Sequence, residues 1–138
     1  MLTRYDPERP PDPERWRAQD EMQLVEIVER YHRRAGIRLP NERVHAALHV
    51  MVENQVALGD RTPVAEAVER LMGEGMSRHD AIHALGAVLD THVFRAHSTG
   101  VPVSRDAYYD DVRAVTKEVW LARFGPKAPD GAEGPGGG

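Results

Sequence analysis

Residues 41–60 read NERVHAALHVMVENQVALGD, and this stretch decides the fold class. Its apolar residues recur at helical spacing and would share one face: Val44, Leu48, Met51, Val52 and Val56. Asn41 is a favourable N-cap residue, and Gly59 and Asp60 are turn residues that would end the helix. The stretch therefore predicts a helix whose histidines lie beside its apolar face.

Periodic segments of the same kind lie on both sides of this helix. Capping residues, glycines and prolines place their boundaries near residues 20 and 36, 62 and 75, 77 and 100, and 104 and 125. In the segment that begins at Ser77, the residues expected to face inward are Ile82, Leu85, Leu89 and Val93. No stretch alternates apolar and polar residues as a strand would. We therefore predict an all-α protein, a compact bundle of four to five helices over residues 19–125.

The two ends of the chain differ in composition from this bundle. Residues 1–18 contain PERPPDPERW, whose prolines lack amide donors and disfavour helix before them, so an extended N-terminal arm is predicted there. We expect Trp16 to anchor this arm to the core. Residues 126–138 read PKAPDGAEGPGGG and have too little apolar surface to bury, so we expect a disordered tail.

Composition and charge restrict the possible functions. The chain has 138 residues, a formal net charge of −4 and no cysteine, so any metal site must use His, Asp or Glu. Charges of both signs are interspersed, which argues against a nucleic-acid partner. Because no apolar run is long enough for a signal peptide or a membrane span, we expect a cytoplasmic location and no membrane partner.

Two pairs of histidines carry the strongest chemical signal in the sequence. His45 and His49 lie in HAALH, and His79 and His83 lie in HDAIH. Residues four apart project from one face of a helix, so each pair could chelate one ion. Glu53 lies one further turn along the first helix, within reach of an ion held by that pair.

Helix topology predicts that the two pairs come together. Short connections make successive helices antiparallel, so the helices that carry the pairs should be parallel, with both pairs near the same end. His32, near the end of the preceding helix, should reach that end as well. The candidate metal ligands are His45, His49, Glu53, His79 and His83. Nitrogen and oxygen donors without sulfur suit zinc, nickel, iron or manganese, and no motif for an organic cofactor is present.

Other interpretations of the histidines remain open. They could form a metal-free buried polar network in a module that binds another protein or a second copy of the chain. HDAIH also resembles the zincin motif H-E-x-x-H, with Asp80 as general base, but no third ligand follows at a zincin spacing. The sequence leaves catalysis undecided. His92 and His97, further along the same helix, are expected to be exposed.

The chain resembles an uncharacterised family of short bacterial helical proteins with two H-x-x-x-H helices. The matching segments here are HAALHVMVENQ and HDAIHALGAVL, with RAGIRLPN and ENQVALGD beside them, over roughly residues 20–95. The resemblance implies a small helical bundle with the five candidate ligands named above. It implies no particular activity, cofactor or substrate.

Overall fold

The computed structural model describes residue 2 and residues 4–37 and 41–124. These residues form helices and loops without any strand, which confirms the all-α prediction. The helices are α1 (Pro13–Arg17), α2 (Glu21–Arg34), α3 (Glu42–Ala57), α4 (Val64–Gly73), α5 (Arg78–Thr99), α6 (Arg105–Ala114) and α7 (Lys117–Phe124), with a 3-10 turn at Gly59–Arg61. The described part of the chain thus has more helices than the four to five predicted.

Helices α3 and α5 begin at the predicted caps, and α2 begins where its periodic pattern was predicted to start. Asp20 accepts hydrogen bonds from amides in the first turn of α2. The Asn41 side chain accepts from the amide of Val44 at 3.2 Å, and the Ser77 hydroxyl accepts from the amide of Asp80 at 3.0 Å. These side chains satisfy amides that have no partner inside the helix. They fix where α2, α3 and α5 begin, and therefore where each histidine lies along the axis of the bundle.

The predicted last helix is broken into α6 and α7. Val115 has an extended backbone, and the Thr116 hydroxyl accepts from the amide of Val119 at 3.1 Å, as an N-cap residue does. The Arg70 guanidinium of α4 donates to the carbonyls of Val112 at 3.1 Å and Val115 at 2.7 Å. A side chain from a distant helix thus binds carbonyls that a continuous helix would use, and the chain can turn here.

The N-terminal arm is anchored to the core, but it is not wholly extended. It contains the single-turn helix α1, which begins where the Asp12 side chain caps it. Trp16 is 1% exposed, and its ring nitrogen donates to the Asn54 side chain at 2.8 Å. Trp16 therefore anchors the arm, as predicted. The predicted tail at residues 126–138 lies outside the described residues.

Helix α3 lies between two apolar clusters and contributes to both. One cluster joins α3 to α4, α5 and α6, and the other joins it to α2 and the arm. Two residues of its predicted apolar face, Val44 and Met51, are exposed, whereas His49 and Glu53 are buried. This part of the prediction is wrong because α3 is covered on two sides, and its polar side chains find partners there.

Helix α5, with 22 residues, is the longest helix in the described part of the chain, and it contacts α3, α4 and α6. Val93 was expected to face inward but is exposed, and His92 was expected to be exposed but is buried. The reason is that α6 packs beside His92, whose Nε2 lies 2.6 Å from a carboxylate oxygen of Asp111. Within the described residues, no helix, α5 included, combines the length and the apolar character needed to cross a membrane.

Replacement of Trp16 tests whether the arm belongs to the cooperative core. Trp16→Ala should lower the free energy of unfolding by about 3–5 kcal/mol, because it removes a large buried side chain and leaves a cavity. The measurement is urea unfolding followed by circular dichroism. The exposed Phe94 provides the control, and Phe94→Ala should change stability by about 0.5 kcal/mol or less. Equal stabilities of the two variants would show that the arm is not part of the core.

Candidate metal centre

Histidines from three helices meet at one end of the bundle. His32 lies in the last turn of α2, His45 and His49 in the first two turns of α3, and His79 and His83 in the first two turns of α5. Four of them, His32, His45, His49 and His83, each place a ring nitrogen within 4.8 Å of the others. The convergence expected from helix topology, including that of His32, is therefore present in the structure.

The ring positions define a compact group. The Nε2 atoms of His45 and His83 are 3.0 Å apart. The ring centres of His45 and His49 are 5.0 Å apart, and those of His49 and His83 are 4.8 Å apart. The His32 ring centre is 4.9 Å from those of both His45 and His49. His79 lies next to the group, with its ring centre 4.2 Å from that of His83, but outside the set of four.

The hydrogen bonds of His49 determine which of its nitrogens carries the proton. The Tyr5 hydroxyl is 2.6 Å from a carboxylate oxygen of Glu53 and 3.2 Å from His49 Nδ1. Glu53 is ion-paired with Arg78 and therefore ionised, so Tyr5 donates its proton to Glu53. The hydroxyl oxygen must then accept from an Nδ1–H of His49. This leaves the lone pair on Nε2, the geometry in which histidine commonly binds metals.

His32 is held in the same tautomer by the backbone of its own helix. Its Nδ1 lies 3.0 Å from the carbonyl oxygen of Val28. A carbonyl can only accept, so Nδ1 carries the proton and Nε2 carries the lone pair. Within the described residues, the buried Nε2 atoms of His32, His49 and His79 have no hydrogen-bond partner. Such atoms are costly to bury unless a ligand or solvent satisfies them.

Glu53, predicted as a possible ligand, does not join the group of four ring nitrogens. Its two carboxylate oxygens accept from the Arg78 guanidinium, each at 2.8 Å, and one of them also accepts from Tyr5. Glu53 therefore lies behind His49 and acts on it through the Tyr5 hydroxyl. The carboxylate is 1% exposed, and Arg78 supplies the charge that makes this burial tolerable.

Sequence reasoning missed Arg78 and Tyr5. Arg78 directly precedes the second histidine pair, and its guanidinium also donates to the carbonyl of Pro7 at 3.0 Å. Its amide, at the start of α5, donates to the Glu8 side chain at 3.1 Å. No spacing links Tyr5, in the proline-rich arm, to residues of α3. The sequence offered only two signals. An arginine directly precedes one histidine pair, and a glutamate lies one turn after the other pair.

Burial keeps the histidines of the centre neutral at ordinary pH. It is the main cause of the lowered pKa values of these residues: His32, His45, His49, His79 and His83. Burial first, and neighbouring histidines second, lower the pKa of His45 to about 4 and that of His83 to about 3. Burial and the charge of Glu53 raise the pKa of Tyr5, so its hydroxyl stays protonated. Each ring therefore has one nitrogen with a lone pair at neutral pH.

Comparison with known proteins identifies a family but no activity. Residues 14–114 match the family model described as a domain of unknown function, DUF1841. This match covers most of the chain and confirms the resemblance to an uncharacterised family. Searches among curated proteins and among solved structures give no match.

The ion pair behind His49 should be important for stability. Arg78→Ala leaves the Glu53 carboxylate buried without its counter-ion, so the free energy of unfolding should fall by about 3–5 kcal/mol. The control is Arg113→Ala, which breaks an exposed pair with Asp110 and should cost about 1 kcal/mol or less. Urea denaturation measures the free energy of unfolding of both variants. Similar losses in the two would contradict the structural role assigned to Arg78.

The lowered histidine pKa values predict acid sensitivity of the metal-free protein. Between pH 6.5 and 5 the unfolded chain binds protons at histidines that stay neutral in the folded chain, so stability falls as pH falls. Each such histidine contributes a slope that rises to at most about 1.4 kcal/mol per pH unit as the pH falls towards 5. Thermal unfolding of chelator-treated protein across this range measures the slope. His83→Gln should reduce the slope by about the contribution of one histidine, and a wild-type profile that is already flat would refute the assignment.

Proposed function

The chain belongs to the DUF1841 family of unknown function, and we propose that it binds a divalent transition-metal ion through His32, His45, His49 and His83. The observation that carries the proposal is the convergence of their ring nitrogens. The tautomers of His32 and His49 leave the Nε2 lone pair available. Neutral imidazole is the form of histidine that binds metals.

A metal accounts for the buried nitrogens better than a metal-free histidine network does. In such a network, each buried ring nitrogen would be satisfied by a neighbour. His45 and His83 can satisfy each other, but the Nε2 atoms of His32 and His49 have no partner within the described residues. An unsatisfied buried polar atom costs about 1–3 kcal/mol, and coordination to an ion would remove that cost.

The donor set favours particular metals. Imidazole suits zinc, nickel and iron, whereas manganese prefers carboxylate and water oxygens. Because the group of four contains no carboxylate, zinc, nickel and iron fit it better than manganese. Ligand nitrogens in a tetrahedron around zinc would be about 3.4 Å apart, so we expect the most distant rings to rotate inward on binding.

Two further groups support this proposal from outside the four rings. The Val28 carbonyl and the Tyr5 hydroxyl would orient His32 and His49, in the way that partners behind a metal ligand usually do.

His79, whose ring is next to that of His83, remains a proposed additional donor. His79→Ala should therefore weaken metal binding less than His49→Ala does.

Metal analysis of untagged protein tests the proposal. Protein loaded with zinc or nickel should retain about one ion per chain after gel filtration. An ion present at 100 times its dissociation constant should add about 2.7 kcal/mol of stability, which a chelator would remove. The measurements are elemental analysis and thermal unfolding.

The variant that decides the site is the double substitution His45→Ala, His49→Ala. It should lose the bound ion and the stabilisation by metal. The matched control is His97→Ala, which removes an exposed histidine of α5 and should keep both. Retention of the ion by the double variant would reject the site, and loss of stabilisation in the control would point to unspecific binding.

Contact with another protein is a second candidate function, compatible with metal binding. The Phe94 side chain of α5 is 69% exposed, and Val101, just after this helix, is also exposed. Large exposed apolar side chains are common at protein interfaces. Light scattering of the wild type and of Phe94→Ser would reveal whether a second copy of the chain uses this surface.

A further inference from the structure

A cavity of about 420 Å³ lies directly beside the histidine centre. His45, His49 and His83 line one side of it. Its apolar walls come from Leu48 on α3, Ile82 on α5 and Trp120 on α7. The volume falls within the range of small-molecule sites, about 300–1,000 Å³, and the mixture of apolar walls with a few polar groups is typical of them.

The cavity lies on the less covered side of the centre. His32 and His49 are buried, and their Nδ1 atoms are engaged by Val28 and Tyr5. His45 and His83 are only half-buried, and both face the cavity. An ion held by the four rings is therefore shielded on the side of α2 and the arm. A further ligand would reach it through the cavity.

The charge of the site selects the kind of ligand. The four imidazoles are neutral donors, so a divalent ion would keep its full positive charge. The Glu53 carboxylate lies behind His49 and is already balanced by Arg78. In a site partly shielded from water, charge interactions are stronger than in solution, which favours an anion on the ion. Asp90 lines the cavity and would repel a second negative charge on that ligand.

We propose that the metal, held by the four rings, expands its coordination to a fifth, exchangeable position that faces this cavity and binds a small monocarboxylate there. A carboxylate oxygen would bind the ion, and the apolar body of the acid would pack against Leu48, Ile82 and Trp120. This inference rests on the proposed metal site. Beyond that site, it specifies an open coordination position, a class of ligand and the walls against which the apolar part of the ligand packs.

Cobalt(II) provides a test that separates the two proposals. Cobalt replaces zinc in histidine sites, and its visible absorption changes when its coordination changes. Absorption bands that appear on loading, and that the double variant His45→Ala, His49→Ala lacks, report the metal site itself. Azide and benzoate, added to the loaded full-length protein, should then shift these bands. The dianion terephthalate, whose second carboxylate cannot reach the same ion, should bind more weakly than benzoate because it brings a second negative charge into the cavity that Asp90 lines.

A pair of matched substitutions tests where the ligand body lies. Ala87 is a half-buried alanine of α5 that lines the cavity, and Ala65 is a half-buried alanine of α4 in a different groove. Ala87→Leu should weaken benzoate binding by about tenfold, since the larger side chain occupies the cavity. Ala65→Leu should leave benzoate binding unchanged.

Each outcome decides one of the two proposals. If cobalt gives no bands, the metal site fails and the ligand proposal fails with it. If the bands appear but neither azide nor benzoate shifts them, the metal site stands and the open position is refuted. Equal benzoate affinities of Ala87→Leu and Ala65→Leu would refute the placement in the cavity, and terephthalate that binds as tightly as benzoate would refute the charge selection.

Discussion

The buried ion pair between Arg78 and Glu53 is the interaction on which the arrangement of the centre depends. Glu53 lies one turn after the histidine pair of α3, and Arg78 directly precedes the histidine pair of α5. Their two hydrogen bonds therefore fix how far α3 and α5 are displaced along each other. Arg78 also holds Pro7, and Glu53 holds Tyr5, so the arm is attached at the same point.

The histidine centre combines two properties that burial produces together. Removing imidazoles from water disfavours their charged form, which lowers their pKa values and keeps their lone pairs available. The same removal leaves nitrogens with unmet hydrogen-bonding capacity, as in His32 and His49. The rest of the fold must therefore offset the free-energy cost of burying these nitrogens at this end of the bundle. The apolar clusters on both sides of α3 are the source of that compensation.

Sequence periodicity predicted much of the fold and part of the site. The change in periodicity located the start of α2, capping residues located those of α3 and α5, and spacing by four brought each histidine pair onto one helix face. Periodicity could not show what lies opposite a face, so the burial of His92 and the pairing of Glu53 were missed. The break after α6 was missed for the same reason, because it depends on Arg70 of another helix.

The separation of these partners along the chain bears on how the protein folds. Tyr5 and Glu53 are 48 residues apart, and Pro7 and Arg78 are 71 apart. Synthesis produces the arm, α2 and α3 before it produces the arginine that neutralises Glu53. Until then, burial of Glu53 is opposed by the cost of an uncompensated charge. The first half of the bundle should therefore stay open to solvent until α5 arrives, and the histidines should come together in one late, cooperative step.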